Sequence, residues 1–187
     1  MNRREALGAV SWILGGALVS ADLLVACTSK PNKVNDLFDQ DQVAFLNEVG
    51  DTILPETSTP GAKAADVGSL MAVMVQDCYT KEDQDIFMKG ITQIDEASKE
   101  KFDKKFLKLD QKQRTELLTA LDAEQKKYQA EKAPEAPNHY FRMMKELTLF
   151  GFFTSEVGAT QALRYVETPG RYDGCMPYKK GDRAWAT

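Results

Sequence analysis

The chain has 187 residues, of which 43% are hydrophobic and 28% are charged, and its formal net charge is −4. This length is sufficient for one domain with a hydrophobic core of its own. The mild acidity argues against a nucleic-acid-binding protein, because such proteins present basic faces to the phosphate backbone.

The N-terminal segment has the features of an export signal. Arg3 and Arg4 form a twin-arginine pair, and a moderately apolar run rich in glycine and alanine follows as far as residue 26. Polar residues interrupt this run, which makes it marginal as a membrane span of about 20 apolar residues. We therefore predict a twin-arginine signal peptide over residues 1–26 and delivery to the periplasm, with a transmembrane anchor as the alternative.

Cys27 stands at the end of this signal, directly after Leu24-Val25-Ala26. The four residues match the lipobox of bacterial lipoproteins, in which the cysteine becomes the acylated N-terminus. Several acyl chains attach a protein stably to a membrane, whereas a single chain does not. We predict that Cys27 is lipidated and that the polar residues 27–36 form a tether. An ordinary buried cysteine is the alternative.

The first two helices of the mature chain flank a proline-rich corner. Asp39, followed three residues later by Gln42, predicts a capped helix start, and Pro55 predicts the end of that helix. The corner covers residues 51–62 and ends in a Pro-Gly turn signal. After it, an apolar stripe at helical spacing predicts a second helix. The members of this stripe are Val67, Leu70, Met71, Met74, Val75 and Cys78.

Further helices follow. Thr80 and Asp110 predict the starts of a third and a fourth helix, because each can cap the helix that begins after it. Residues 99–105 mix lysines with acids, which favours a solvated face. Residues 133–137 contain two prolines and mark a break in the chain.

After the break, a helix capped by Asn138 is apolar on nearly all sides as far as Phe153, which predicts a central position or burial by another chain. A last helix is predicted from Ser155 to Tyr165, and the remainder is predicted to be irregular. Strand alternation never persists for more than a few residues. We therefore predict an all-α domain of about six helices over residues 37–187, with an irregular C-terminal tail.

Three stretches resemble segments of one known family, both in their amino-acid sequence and in their order along the chain. Residues 50–62 read Gly-Asp-Thr-Ile-Leu-Pro-Glu-Thr-Ser-Thr-Pro-Gly-Ala, residues 151–156 read Gly-Phe-Phe-Thr-Ser-Glu, and a closing segment spans residues 165–175. They resemble the gluconate 2-dehydrogenase subunit 3 family, the small subunit of periplasmic flavin-dependent dehydrogenases. The resemblance covers most of residues 37–187, and between about residues 80 and 132 it is one of helical character only.

The resemblance implies a non-catalytic small subunit. Its large subunit is expected to be a flavoprotein of the glucose-methanol-choline type that binds FAD and oxidises a sugar, a sugar acid or a glycoside. Electrons are expected to pass to a cytochrome c or a quinone. The small subunit is expected to support export, stability and membrane tethering of the large one. A stand-alone helical lipoprotein that binds a ligand or an envelope partner is the alternative, and an enzyme in its own right is a third interpretation.

The chain contains few motifs of the kinds that catalyse reactions or bind cofactors and metals. It contains no Gly-rich dinucleotide fingerprint, no haem-attachment motif and no cluster of cysteine and histidine. We therefore predict no catalytic residue, no metal site and no cofactor in this subunit. His139 is the only histidine, and its place at a predicted helix start favours capping or partner contact over acid–base catalysis.

Two cysteines remain besides Cys27, namely Cys78 and Cys175. Two thiols in an oxidising compartment favour a disulfide bond. A buried Cys78 on its apolar stripe with a separate Cys175 is the alternative, because the sequence does not reveal the distance between the two.

A surface for the partner subunit is predicted from aromatic and arginine residues near the C-terminus. The domain can bury some of the aromatic side chains of the all-round apolar helix, and those left exposed would mark an interface. A purely structural role for the phenylalanine cluster is the alternative. The predicted members are Phe150, Phe152, Phe153, Arg171, Tyr172, Arg183 and Trp185.

The export signal leads to the first testable prediction. Replacement of both Arg3 and Arg4 by lysine should leave the protein, and any co-expressed large subunit, in the cytoplasm, because the twin-arginine pair would no longer be recognised. Cell fractionation and immunoblotting measure this. Normal periplasmic delivery of both chains by the double variant would contradict the prediction.

Overall fold

The computed structural model describes residues 32–168, 170–171 and 173–186. Five α-helices form the body of this part of the chain: α1 Gln40–Ile53, α2 Val67–Cys78, α3 Lys81–Phe102, α4 Gln111–Glu131 and α5 Tyr140–Thr154. Short helical turns occupy Ala62–Ala65, Phe106–Lys108 and Gly158–Ala162. Two strands of two residues each, β1 Arg164–Tyr165 and β2 Trp185–Ala186, pair in parallel. The prediction of an all-α domain with an irregular tail is confirmed.

The helix starts follow the caps that the sequence contains. Asp39 accepts a hydrogen bond from the backbone N–H of Gln42, while the Gln42 side chain accepts from the N–H of Asp39. Asp110 and Gln113 repeat this reciprocal arrangement at the start of α4. Because these side chains satisfy amide groups that lack partners inside the helix, they set the first residue of each helix.

The proline-rich corner closes on itself between α1 and α2. The N–H of Ala62 donates to the carbonyl oxygen of Leu54 with an N···O distance of 2.9 Å. The backbone of Gly61 lies so close to this stretch that a Cβ atom there would stand 2.6 Å from the nitrogen of Glu56. Only glycine fits such an approach of two backbone segments. The corner is therefore a compact backbone loop that reverses the chain.

Helices α1 and α2 also pack backbone to backbone. A Cβ atom at Gly68 would lie 2.5 Å from the carbonyl oxygen of Val43. Asp66, in the left-handed conformation, makes no side-chain cap for α2. Instead Asn47 of α1 accepts a hydrogen bond from the N–H of Gly68 (2.8 Å) and donates one to the Asp66 carboxylate (2.6 Å). One helix thus caps the next.

Glu48 connects the corner to helix α4. Its carboxylate pairs with Lys63, which follows the corner, and with Arg114, which lies 66 residues away on α4. The Arg114 guanidinium also donates to the carbonyl oxygen of Leu107 (3.1 Å) and lies 5.4 Å from the Phe106 ring centroid. The hydrogen bond from Lys63 lowers the pKa of Glu48 most strongly, and that from Arg114 adds to the effect against the opposing influence of partial burial.

Helix α5 runs through the centre of the domain, as its apolar composition predicts. Tyr140, Phe141, Met143, Met144, Leu147, Thr148, Gly151 and Phe152 of this helix are buried. Glycines provide the space for close neighbours, because a Cβ atom at Gly90 would meet the Tyr140 ring at 2.5 Å and one at Gly151 would meet Leu70 at 2.7 Å. Burial of this many apolar side chains is the main source of stability for such a domain.

An ion pair joins α4 to α5 at the rim of this core. Lys145 of α5 donates to the Asp122 carboxylate of α4 (2.6 Å), which also accepts from Lys126 (2.8 Å). Partial burial raises the pKa of Asp122, but the hydrogen bonds from Lys126, Lys145 and Gln125 outweigh it and lower that pKa to about 2. Asp122 therefore stays ionised at neutral pH and holds both helices.

Two boundaries differ from the sequence prediction. Residues 32–36, predicted as part of a tether, lie against α2, where Asn35 donates to the carbonyl oxygen of Ala72 and Gln76 accepts from the N–H of Asp36. The last helix, predicted over residues 155–165, is only a five-residue π-helical turn, Gly158–Ala162. A Cβ atom at Gly158 would lie 1.8 Å from the carbonyl oxygen of Phe152, so this turn folds tightly against the end of α5.

The described core is complete within one stretch of the chain. Among the described residues, every buried hydrophobic side chain falls between Phe38 and Phe152. A chain that begins at residue 32 therefore contains every described residue on which the core depends.

The Glu48 cluster predicts a pH-dependent stability. The substitution Glu48→Gln should lower the free energy of unfolding at pH 7 by about 1–3 kcal/mol, because it removes charge-assisted hydrogen bonds and leaves the half-buried Arg114 without its carboxylate. The pKa of Glu48 is lowered from 4.5 in the folded chain, so this stability is present above pH 4.5 and is lost as the pH falls through the lowered value. Urea unfolding at a series of pH values measures the difference.

Asp85→Asn is the matched control for this experiment. Asp85 pairs with Lys81 at 3.2 Å on the open surface of α3, where an ion pair contributes less than about 0.5 kcal/mol. A Glu48→Gln variant that loses no more stability than Asp85→Asn, or whose deficit persists unchanged at acid pH, would contradict the role assigned to the cluster.

Candidate functional site

The C-terminal half of α5 exposes three large apolar side chains. Leu149, Phe150 and Phe153 are 37%, 50% and 40% exposed, and we call them the α5 patch. Successive helical residues are about 100° apart, so these three fall on the outer side of α5 while Thr148, Gly151 and Phe152 face inward. Contiguous exposed apolar side chains of this kind mark interaction surfaces.

The structure corrects one predicted member of the interface. Phe152 is only 2% exposed and packs edge-to-face against Phe153, with ring centroids 5.1 Å apart. It therefore belongs to the core. Leu149 was not predicted and is exposed instead. The helical projection of the sequence could have placed both residues, since Leu149 lies four positions before Phe153 on the same side of the helix.

The tail folds back on itself beyond α5. The Arg164 guanidinium stands 4.4 Å from the centroid of the Trp185 ring, and its Nε donates to the carbonyl oxygen of Arg183 (2.7 Å). Arg183 in turn donates to the carbonyl oxygen of Gln161 (2.7 Å), in the turn that follows α5. These contacts bring the tail to the end of the helix that bears the α5 patch.

The predicted tail residues have different environments. Arg171 is exposed, and its nearest carboxylate is that of Asp173 at 3.7 Å. Trp185 is 49% exposed despite its contact with Arg164. Arg183 is exposed but uses its guanidinium within the tail. Tyr172 lies outside the described residues.

The tail also lines an open groove with a volume of about 800 Å³. Its walls combine apolar side chains, such as Met176, Tyr178 and Trp185, with the arginines Arg164 and Arg171. Aromatic and arginine side chains are the types enriched at the centres of protein interfaces. The groove extends the apolar character of this end of the molecule.

His139 caps helix α5, as its position predicts, and takes the place expected for Asn138. Its Nδ1 accepts a hydrogen bond from the N–H of Phe141 (3.2 Å), and its ring stacks on Tyr140 with centroids 4.4 Å apart. Burial lowers the pKa of His139, and the Glu124 carboxylate, 3.8 Å from Nε2, opposes that shift. The ring is therefore neutral at pH 7 and serves the helix start.

The predicted disulfide bond is not present in the structure. Cys78 and Cys175 are both free, and both are exposed. Cys78 is the last residue of α2. The buried part of the apolar stripe ends at Val75, so Cys78 faces the solvent. The residues predicted for export and lipidation, Arg3, Arg4 and Cys27, lie outside the described residues.

Within the described ranges 32–168, 170–171 and 173–186, no group of three or more histidine, cysteine, aspartate or glutamate side chains is placed to hold a metal ion. None of the helices in this part of the chain has both the length and the apolar character that a bilayer crossing requires.

Comparison with known proteins gives one match. A family model described as gluconate 2-dehydrogenase subunit 3 matches residues 40–170. No curated protein and no solved structure matches the chain. The matched range begins with the first residue of α1 and includes all five α-helices, the corner and the α5 patch.

Proposed function

The chain belongs to the gluconate 2-dehydrogenase subunit 3 family, and on that premise we propose that it is the non-catalytic small subunit of a periplasmic FAD-dependent dehydrogenase. A member of this family is one subunit of a multi-subunit dehydrogenase, which implies a larger catalytic partner. In the proposal that partner is a flavoprotein of the glucose-methanol-choline type. It oxidises a sugar, a sugar acid or a glycoside and passes electrons to a cytochrome c.

The family match over residues 40–170 is the observation that carries this proposal. It spans the folded body of the chain rather than one short motif. The corner and the Gly-Phe-Phe-Thr-Ser-Glu segment, which carry the resemblance in the sequence, both lie inside the match.

The α5 patch and the tail supply a surface for the large subunit. An obligate complex buries more than about 2,000 Å² in total, which three side chains do not provide. The tail adds Trp185, Met176 and Tyr178, each exposed by 46% or more, at the same end of α5. The proposed interface therefore has an apolar centre on α5 and an aromatic and arginine-rich border in the tail.

The small subunit acts in this proposal through binding and delivery. The twin-arginine signal would export the folded complex, so that FAD enters the large subunit before export, and the lipid on Cys27 would hold the complex at a membrane. A stand-alone helical lipoprotein is the second candidate. The tail groove of about 800 Å³ favours this candidate, because a groove of that volume can hold a ligand.

The α5 patch can be tested by substitution. Phe150→Ser together with Phe153→Ser should raise the Kd for the large subunit at least about thirtyfold, because each exposed aromatic anchor contributes about 1–2 kcal/mol to an interface. Less of the large subunit and its FAD should therefore co-purify. Pull-down with quantification of the flavin absorbance measures the loss.

Val34→Ser together with Leu107→Ser is the matched control. Both residues are exposed to a similar extent, at 44% and 42%, and neither lies on α5 or in the tail. Circular dichroism shows whether each double variant keeps its helical content. The interface assignment fails if the Phe150/Phe153 variant remains folded and recovers as much flavoprotein as the control.

The lipid anchor is tested separately. Cys27→Ser should abolish incorporation of labelled fatty acid, because no thiol remains at the lipobox for acylation. Metabolic labelling followed by immunoprecipitation measures this, with Cys78→Ser as the control that removes a different thiol. Fatty acid that still attaches to the Cys27→Ser protein would show that the cysteine is not the anchor.

A further inference from the structure

A lysine-rich connection joins helices α3 and α4. We call residues 103–112 the lysine loop; it contains four lysines against two acids in a chain whose net charge is −4. Phe106 and Leu109 are buried and fix the loop to the core, while the other residues are exposed. Leu107 stands between these two anchors and is 42% exposed.

Several charged residues on and beside the loop are engaged in other contacts. Lys101 pairs with Glu116, Asp95 accepts the N–H of Phe106, and Asp110 is engaged as the cap of α4. The four loop lysines make no ion pair within the described part of the chain. These lysines are Lys104, Lys105, Lys108 and Lys112. Asp103 is exposed and likewise makes no ion pair within the described residues, so four lysines against two acids leave the loop with a net charge of +2 around an exposed leucine.

We propose that the lysine loop docks on an anionic lipid surface, with its lysines at the headgroups and Leu107 inserted between them. The choice of a membrane over an acidic protein rests on the lipid tether of the proposed function. Unpaired lysines around an exposed apolar side chain match the two forces that hold peripheral proteins at such surfaces, namely electrostatic attraction and burial of apolar area.

The position of the loop agrees with this assignment. Phe106 packs against Phe45 in the second turn of α1, with ring centroids 5.2 Å apart. The chain enters the domain at the start of the same helix, where the carbonyl oxygen of Asn32 accepts from the N–H of Gln40 (2.7 Å). The five Cα–Cα steps from Cys27 to Asn32 can span at most about 18 Å. A lipid on Cys27 therefore holds this end of the domain close to the membrane.

Acidic residues near the entry point determine which part makes the contact. Asp36 and Asp41 are exposed at the start of α1 and would be repelled by anionic headgroups. The proposal therefore places the lysine loop, rather than these acids, against the headgroups.

The lysines and Leu107 each contribute to the affinity for an anionic membrane. A lysine near an anionic membrane strengthens binding about fivefold, and the effect is screened by salt. Replacement of all four loop lysines by glutamine should therefore weaken binding by at least about tenfold, even after screening. Leu107→Ser should weaken it about threefold or more, through the loss of apolar burial.

The experiment uses a fragment of residues 32–187, which contains the whole described core, after circular dichroism has shown that it is helical. Co-sedimentation with vesicles of phosphatidylglycerol and of phosphatidylcholine measures its binding, at low salt and in about 0.5 M salt. The matched control replaces Lys89, Lys127, Lys179 and Lys180 by glutamine, because these four are also exposed and the change in net charge is the same.

Binding to phosphatidylglycerol that is lost in salt and in the loop variant, but kept in the control variant, is the expected result. No binding to phosphatidylglycerol, or equal losses in both lysine variants, would overturn the proposal. If the full chain with the four loop lysines replaced loses the large subunit in the pull-down described for the α5 patch, while vesicle binding of the fragment is unchanged, the loop belongs to a protein partner and the proposal is overturned as well. The fragment contains neither Cys27 nor a partner, so the result is independent of the tests of lipidation and of the dehydrogenase complex.

Discussion

The close backbone packing of the corner between α1 and α2 is the constraint on which the rest of the domain depends. The hydrogen bond from Ala62 to Leu54 closes the loop, and the space beside Gly61 admits no side chain. With the chain reversed there, α2 packs on α1 through Gly68, and Asn47 caps α2 from the neighbouring helix. Glu48 then joins this unit to α4 through Arg114. The prolyl corner thus acts on the rest of the domain through its backbone geometry.

This arrangement determines what α5 can present. The helix is surrounded by the other four, with its inner side committed to the core and Lys145 committed to Asp122. Its exposed side is polar in the first half, at Arg142 and Glu146, and apolar near the C-terminus, at Leu149, Phe150 and Phe153. The tail is held at the same end by the bond from Arg183 to Gln161. The proposed partner surface at this end and the proposed membrane contact at the lysine loop therefore lie on different parts of the helical domain.

Local signals in the sequence predicted most of the fold. The caps Asp39 and Asp110 are confirmed, as is the end of α1 before Pro55, because each depends on neighbours within a few residues. The last helix was predicted too long, because Arg164 and Tyr165 pair with Trp185 and Ala186 instead, and such a pairing between distant residues leaves no helical periodicity to read. Of the phenylalanines predicted for the partner interface, Phe150 and Phe153 are exposed, as such a role requires, whereas Phe152 is buried. Contacts between distant residues, such as Glu48 with Arg114, leave no pattern in one sequence, and neither does the separation of Cys78 from Cys175.

The most direct test of the account is the composition of the native assembly. The chain should be affinity-purified under gentle conditions from the cells that produce it and analysed by native mass spectrometry with flavin detection. The account predicts one complex that contains a larger chain with bound FAD, and amide hydrogen exchange should show protection of α5 residues 149–153 and of the tail on complex formation. Recovery of the chain alone, or a complex without a flavoprotein, would contradict its assignment as the small subunit of a dehydrogenase.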